Sequence, residues 1–390
     1  MTIRSFLRAF AGSVILLVIG SGASPAAAAR CSRLSSETFL EPRFGVGVRT
    51  LTLTDTTRTT PAAGAFPELP SRTLEVEVWY PTAQLADDIA RDVPVRGGRF
   101  PIIVNSPGLL DMSIGETYLT SHLASRGFVV ASITFPLTSG GSSRRGGPAL
   151  YDVQNQPGDV SAVMDELIRL GKTRGSWLYR RVNPKRIGVS GLSLGGGTTL
   201  LVTYHPELRD PRVRAAVALA PLSCAFGPDF YRDAGPPLLL LHGDQDLLLP
   251  FASNAAKAYE RAVRSRRTLV QFVNGTHVGF VSYFTAPSAR SYDIIGCGPL
   301  GNVADWGDPT TGLGGVANGV DIAACGLPCT DPVPENAPMV AQRQHELTNA
   351  AATAFFESAL RGSKGGRCFL ETRFGPENPD IVVSNARGER

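Results

Sequence analysis

The chain has 390 residues, 43% of them hydrophobic and 18% charged, with a mean hydropathy of +0.02; this is enough apolar material for one large packed domain or two modest ones and excludes a disordered chain. Its 42 Gly and 29 Pro follow no fixed period, which excludes collagen-like and coiled-coil chains. With 38 basic and 34 acidic residues, the net charge is only +4 and no Lys/Arg block interleaves with aromatics, so a neutral small molecule or polymer is expected rather than nucleic acid.

Residues 1–29 carry Arg4 and Arg8, an apolar run through Val14, Ile15, Leu16, Leu17, Val18 and Ile19, and a small-residue stretch at 26–29. This reads as a secretory signal cleaved after Ala29. The run is shorter than the roughly 20 apolar residues of a spanning helix and no second candidate follows, so no stable membrane insertion is expected. Arg30 stands where a lipid-anchor site would need a small residue before Cys31. The six cysteines (Cys31, Cys224, Cys297, Cys325, Cys329 and Cys368) all follow the signal. An even number in an exported chain predicts up to three disulfides, with fifteen pairings open. Cys31 and Cys368, near the two mature ends, are a candidate tether. Cys325 and Cys329 have the look of half a zinc site, but no second pair has matching spacing, so structural disulfides are the expectation and no metal or cofactor is called for.

From residue 44 onward, short β-rich runs alternate with helical stretches, the pattern of an α/β sheet. Strands are predicted at 46–53, 74–80, 102–105, 128–134, 186–189, 213–219, 238–242 and 268–273, and helices at 116–126, 158–170, 194–204, 252–263 and 341–360. The first two strands alternate apolar with polar residues, as antiparallel edge strands do, whereas the later ones are nearly continuous apolar runs, as in buried parallel strands. In the last helix Leu347, Ala351 and Phe355 recur every four residues and make one apolar face. No internal repeat occurs, and one domain over 30–390 accounts for the pattern. Residues 139–147, rich in Gly, Ser and Arg, read as a mobile surface loop. Residues 282–338 form a Gly/Pro-rich insertion with three of the six cysteines; loops of that length are often lids or binding loops, and the cysteines are expected to hold this one in shape.

Gly191-Leu192-Ser193-Leu194-Gly195 follows a predicted strand and precedes a predicted helix, the context of a nucleophile elbow. The turn is so tight that flanking side chains would collide, which calls for glycine on both sides. A Walker A loop would need Lys where Gly197 stands, and a dinucleotide fingerprint would need Gly where Ser193 stands, so both phosphate readings fail. A serine hydroxyl is a poor nucleophile until a base removes its proton, so a histidine and an acid must follow. The buried strand from Pro237 ends in a loop with two candidate carboxylates, Asp244 and Asp246, and the strand from Leu269 runs into a Gly-containing loop with His277 near its tip. Acyl transfer also needs two N–H groups aimed at the developing oxyanion. Leu194, next after the nucleophile, would supply one. Leu109 would supply the other, after the strand at 102–105 and a turn that Gly108 permits.

Each of these residues has a plainer reading. Asp244 and Asp246 are also ordinary turn formers, and Ser106-Pro107-Gly108 is also an ordinary turn. His242 lies at a strand end and reads as packed or hydrogen-bonded. His242, Asp244 and Asp246 have metal-like spacing without a supporting ligand set. His122, His205 and His345 fall among packing residues and read as structural.

Over residues 44–360 the chain resembles the α/β-hydrolases related to platelet-activating factor acetylhydrolase and dienelactone hydrolase, and more distantly the bacterial cutinases and polyester hydrolases. The residues that carry the likeness are Gly45-Val-Gly-Val-Arg-Thr-Leu-Thr-Leu53, Glu77-Val-Trp-Tyr-Pro81, Ser106-Pro-Gly-Leu109, Asn155-Gln-Pro-Gly-Asp159, the Gly191–Gly195 elbow, Asp246 with Pro250, and Gly275-Thr-His277. The resemblance implies an α/β-hydrolase fold, a mostly parallel central sheet of about eight strands with helices on both faces. It implies Asp246 rather than Asp244 as the acid, since such families place it four residues before a proline, and it implies Leu109 and Leu194 as the oxyanion hole.

The combined expectation is a secreted or periplasmic serine hydrolase that cleaves small or polymeric carboxylic esters through an acyl-enzyme, with Ser193, His277 and Asp246 as its triad. Two alternatives share these residues: a lipase, cutinase-like polyester hydrolase or acyltransferase on the same triad, and a secreted binding protein that keeps the fold without the chemistry.

Overall fold

The computed structural model describes residues 31–83, 89–283, 290–300 and 306–389; the signal expected at 1–29 lies outside them. Among these residues one sheet is built from β1 (Gly45–Asp55), β2 (Arg72–Thr82), β3 (Ala90–Arg91), β4 (Phe100–Ser106), β5 (Val129–Thr134), β6 (Val182–Leu192), β7 (Val213–Leu219), β8 (Leu238–Gly243), β9 (Arg267–Phe272) and β10 (Ile381–Ala386). Their spatial order is β10-β9-β8-β7-β6-β4-β5-β2-β1-β3. Strands β4 to β9 pair in parallel, while β1 and β2 pair antiparallel with each other, as do β2 with β5 and β10 with β9. All eight strands read from the sequence are present. The two that the sequence reading missed are the two-residue β3 and the C-terminal β10, whose apolar run of Ile381, Val382 and Val383 is too short to show a period.

Alternation along the central strands feeds two cores. On β4, Ile102 and Val104 face one and Ile103 the other; on β8, Leu238 and Leu240 face one and Leu239 and Leu241 the other. Helices α1 (Thr117–Ser125), α2 (Gln156–Lys172), α3 (Leu194–Tyr204), α4 (Ala255–Arg261), α5 (Ala341–Arg361) and α6 (Lys364–Thr372) cover the two faces. In α2, Val160, Val163, Met164 and Leu167 recur at i, i+3, i+4 and i+7 and are all buried in the first core, with α3 and α4. Leu347, Ala351 and Phe355 of α5 lie in the second core, with α1 and α6. The fourth helix is shorter than its predicted span of 252–263. Asn254 is drawn out of it because its side-chain oxygen accepts from the N–H groups of Ser223 and Cys224 at 3.0 Å each.

The segment expected as a mobile loop at 139–147 instead holds a single 3₁₀ turn, Ser142–Arg145, with Ser139 and Ser142 buried and Gly147 N–H donating to Ser142 O. The described parts of the insertion are likewise docked rather than free. Leu313 and Val320 enter the first core, Asp321 N–H donates to Ala225 O, and Cys329 N–H donates to Leu247 O. Disulfides Cys224–Cys325 and Cys297–Cys329 fasten it, and Cys31–Cys368 joins the two ends of the described chain.

On the same face of the sheet, the Asn155–Asp159 run acquires a structural role. Arg72 on β2 is fully buried and forks onto two buried carboxylates: Nε and Nη2 donate to Asp159 at 2.6 and 2.7 Å, and Nη1 and Nη2 donate to Asp152 at 3.0 and 2.7 Å. Removing one partner of such a group strands the remaining charges in the interior. Arg72→Ala is therefore expected to lower stability by about 3–5 kcal/mol, read as a lower urea midpoint at pH 7; an unchanged midpoint would refute this account.

Candidate active site

Ser193, Asp246 and His277 sit just past the C-terminal ends of β6, β8 and β9, at one edge of the parallel block. Open α/β sheets bind ligands at this edge. Ser193 occupies the turn from β6 into α3 with φ 59° and ψ −119°, a conformation an L-residue keeps only where its surroundings impose it. Those surroundings are close-packed backbone. A Cβ on Gly191 would lie 2.3 Å from Gly195 O, and one on Gly195 would lie 1.9 Å from Ser106 O. Glycine is therefore obligatory on both sides of the serine, and the side chain of Ser193 is turned outward to line a cavity of about 910 Å³.

Asp246 is buried and His277 is 5% exposed, and His277 Nδ1 meets Asp246 Oδ2 at 2.7 Å. The other carboxylate oxygen of Asp246 accepts from the N–H groups of Leu248 at 3.0 Å and Leu249 at 2.7 Å. Asp244 does not reach the imidazole. It ties the loop after β9 instead, accepting from Asn274 N–H at 2.7 Å and Gln271 Nε2 at 3.3 Å. No hydrogen bond joins Ser193 to His277 among the described residues; in substrate-free sites this contact is often long and tightens with substrate.

The electrostatics favour a charged pair. Burial alone would push the Asp246 carboxyl up, but the charge of His277 and hydrogen bonds from His242 and His277 overcome it and hold the group well below the usual carboxylate range. Burial likewise works to lower the His277 pKa, and Asp246 more than reverses it, so the imidazole titrates above its ordinary value. Asp246 thus stays ionised and stabilises a proton on the ring.

Of the two groups read as an oxyanion hole, Leu194 is the first residue of α3, where N–H groups have no intrahelical partner and the helix dipole is positive. Leu109 N–H makes no backbone hydrogen bond among the described residues, while its neighbour Leu110 donates to Thr138 O at 2.8 Å. Both residues line the cavity with Ser193 and His277, and a Cβ on Gly108 would lie 3.4 Å from the Ser193 Cβ. Beneath the elbow, Ser190 Oγ donates to Asn105 Oδ1 at 2.7 Å, and Asn105 Nδ2 donates to Glu116 Oε2 at 2.8 Å and Ser132 Oγ at 3.1 Å. This buried layer fixes β4 against β5, β6 and the start of α1.

Two supporting residues escaped the sequence reading. Asp293, in the insertion, accepts from the N–H groups of Leu247 and His277 at 2.9 and 3.0 Å through one oxygen and from Val278 at 2.9 Å through the other. Burial, reinforced by nearby Asp246, pushes its carboxyl up to about 6. Gln344 on α5 grips Thr276 from both sides, accepting from its N–H at 3.2 Å and donating to its C=O at 2.8 Å. His242 sits at its strand end as a hydrogen-bonded residue, with Nε2 at 2.7 Å from Leu249 O and 3.0 Å from Asp246 Oδ2. His122, His205 and His345 each place Nε2 on a backbone carbonyl away from the triad.

Comparison with known proteins gives a consistent picture. The family described as PET hydrolase-like matches residues 93–289. A bis(hydroxyethyl) terephthalate hydrolase from Streptomyces coelicolor is 28% identical over 201 residues, covering 51% of this chain and 54% of the relative. Cutinase est1 from Thermobifida alba is 26% identical over 203 residues, covering 52% of this chain and 60% of the relative. The match thus spans little more than half the length of these curated relatives. A solved ferulic acid esterase from Streptomyces cinnamoneus superposes with a TM-score of 0.56 at 21% identity, over 88% of this chain and 97% of the other, a likeness that establishes the α/β-hydrolase fold.

Proposed function

Because the chain belongs to the PET hydrolase-like family of α/β-hydrolases, we propose that it is an exported serine esterase that cleaves carboxylic esters through an acyl-enzyme intermediate. The observation that carries this reading is the 2.7 Å hydrogen bond between His277 and Asp246 beside a cavity that Ser193 also lines. Ser193 Oγ attacks the ester carbonyl carbon as His277 Nε2 takes the hydroxyl proton, while Asp246 holds Nδ1–H and stabilises the imidazolium. The N–H groups of Leu109 and Leu194 receive the oxyanion. Collapse breaks the bond to the alkoxy oxygen, which leaves with the proton from Nε2. Water then repeats the sequence on the acyl-serine and releases the acid.

Export is part of the proposal. It draws on the signal-like sequence at 1–29 and on three disulfides, which persist in oxidising compartments. One hydrolase domain over 30–390, with the insertion docked at the site, completes it. The direct test is labelling with a fluorophosphonate. One label per chain on Ser193, slowed while excess p-nitrophenyl butyrate is present, is expected; a folded protein that takes no label would overturn the reading in favour of a binding protein.

A further inference from the structure

The cavity beside Ser193 has two unlike walls. One comes from the sheet edge, with Leu222, Leu248 and Val278; the other comes from the insertion, with Leu300, Ile322 and Leu327. Ile322 is 41% exposed and Leu327 67%, so large apolar side chains of the insertion are left uncovered where they border the cavity. The Cys224–Cys325 disulfide itself lines the space, which fastens the second wall to the first. A volume of about 910 Å³ lies at the upper end of the range for sites that enclose a whole small molecule. Its charge is one-sided. Asp111, Asp308 and Asp331 line it, and no Lys or Arg does among the described residues. Asp308 and Asp331 are exposed and belong to the insertion, and Asp111 lies on the loop that carries Leu109.

Resting on the esterase reading above, we propose that this insertion makes the enzyme selective for uncharged esters with a large apolar acyl or alcohol group, and that its carboxylates reject esters bearing a second, free carboxylate. An apolar group entering the cavity covers Ile322 and Leu327 and gains the free energy of that burial. A carboxylate at the far end of the same chain would lose water and meet the exposed Asp308 and Asp331 with no Lys or Arg of the described lining to pair it, so both effects oppose docking.

The test compares p-nitrophenyl esters of matched length. The octanoate should exceed the acetate in kcat/KM by at least about tenfold. The mono-p-nitrophenyl ester of a C8 dicarboxylic acid should fall about tenfold or more below the octanoate in low salt, and the gap should narrow as NaCl screens the exposed carboxylates. The double variant Asp308→Asn/Asp331→Asn, at exposed positions outside the triad, should narrow the octanoate-to-carboxylate-ester ratio of kcat/KM several-fold; an unchanged ratio would overturn the role of these carboxylates. Ile322→Ser/Leu327→Ser should lower the octanoate-to-acetate ratio of kcat/KM. Equal rates for charged and uncharged esters, or a preference for acetate, would overturn the selectivity while Ser193-dependent hydrolysis persisted. Absence of both hydrolysis and fluorophosphonate labelling would remove the esterase reading and this inference together.

Discussion

Ser193→Ala is expected to lower kcat for p-nitrophenyl butyrate by about a million-fold, with the far-ultraviolet circular dichroism and melting temperature unchanged. The size of the effect follows from what the residue alone supplies. Without Oγ no acyl-enzyme forms, and the proton relay of His277 and Asp246 has nothing to activate. What remains is the backbone: the N–H groups of Leu109 and Leu194 are untouched by the substitution and leave residual catalysis of about 10³–10⁴ over water. Stability should hold because alanine keeps a Cβ in the same φ 59° conformation and because the lost hydroxyl has no hydrogen-bond partner among the described residues. Retention of a few per cent of turnover by a homogeneous preparation would exclude Ser193 as the nucleophile.

Much of this arrangement was legible because the signals are local. The strand Val213–Leu219 and the helix Leu194–Tyr204 coincide with their predicted limits, the first an apolar run interrupted only by the exposed Arg214 and ending at Ala220-Pro221, the second beginning at an elbow whose glycines announce it. β10 was not legible, since only its pairing with β9, far away in sequence, makes Ile381-Val382-Val383 a strand. Nor was the support from the insertion. Asp293 looks like any aspartate before a short helix, and its contacts with the His277 and Leu247 backbones exist only once two disulfides and the Ser291 carbonyl, which accepts from Thr276 Oγ1 at 2.8 Å, have brought the segment over β8 and β9. The choice between Asp244 and Asp246 lies between these extremes. Both stand in one loop, two residues apart, and loop backbone direction rather than composition decides which one faces the imidazole.

That choice yields the second large expected effect: Asp246→Asn should cost about 10⁴-fold in kcat, whereas Asp244→Asn should cost only a loop contact and a modest loss of stability. The argument rests on which atom is pinned. Oδ1 of Asp246 is held by two donors, the N–H groups of Leu248 and Leu249, so in the amide the carbonyl oxygen must stay there. The amide nitrogen is then forced into the place of Oδ2, 2.7 Å from His277 Nδ1. An N–H donor there requires Nδ1 to accept, which moves the ring proton to Nε2, the atom that must be free to take the proton of Ser193. Loss of the negative charge also removes the largest influence that raises the His277 pKa, leaving only that of Asp293. In the native enzyme, activity requires neutral His277, so kcat/KM rises with pH through a midpoint above 6.5, the ordinary histidine value; in Asp246→Asn the residual activity should keep its acid limb at lower pH. A pH–rate profile of the two variants separates the roles, because a merely structural carboxylate would lower stability without moving the midpoint. Equal, mild losses from both substitutions, with the acid limb fixed, would remove Asp246 from the triad.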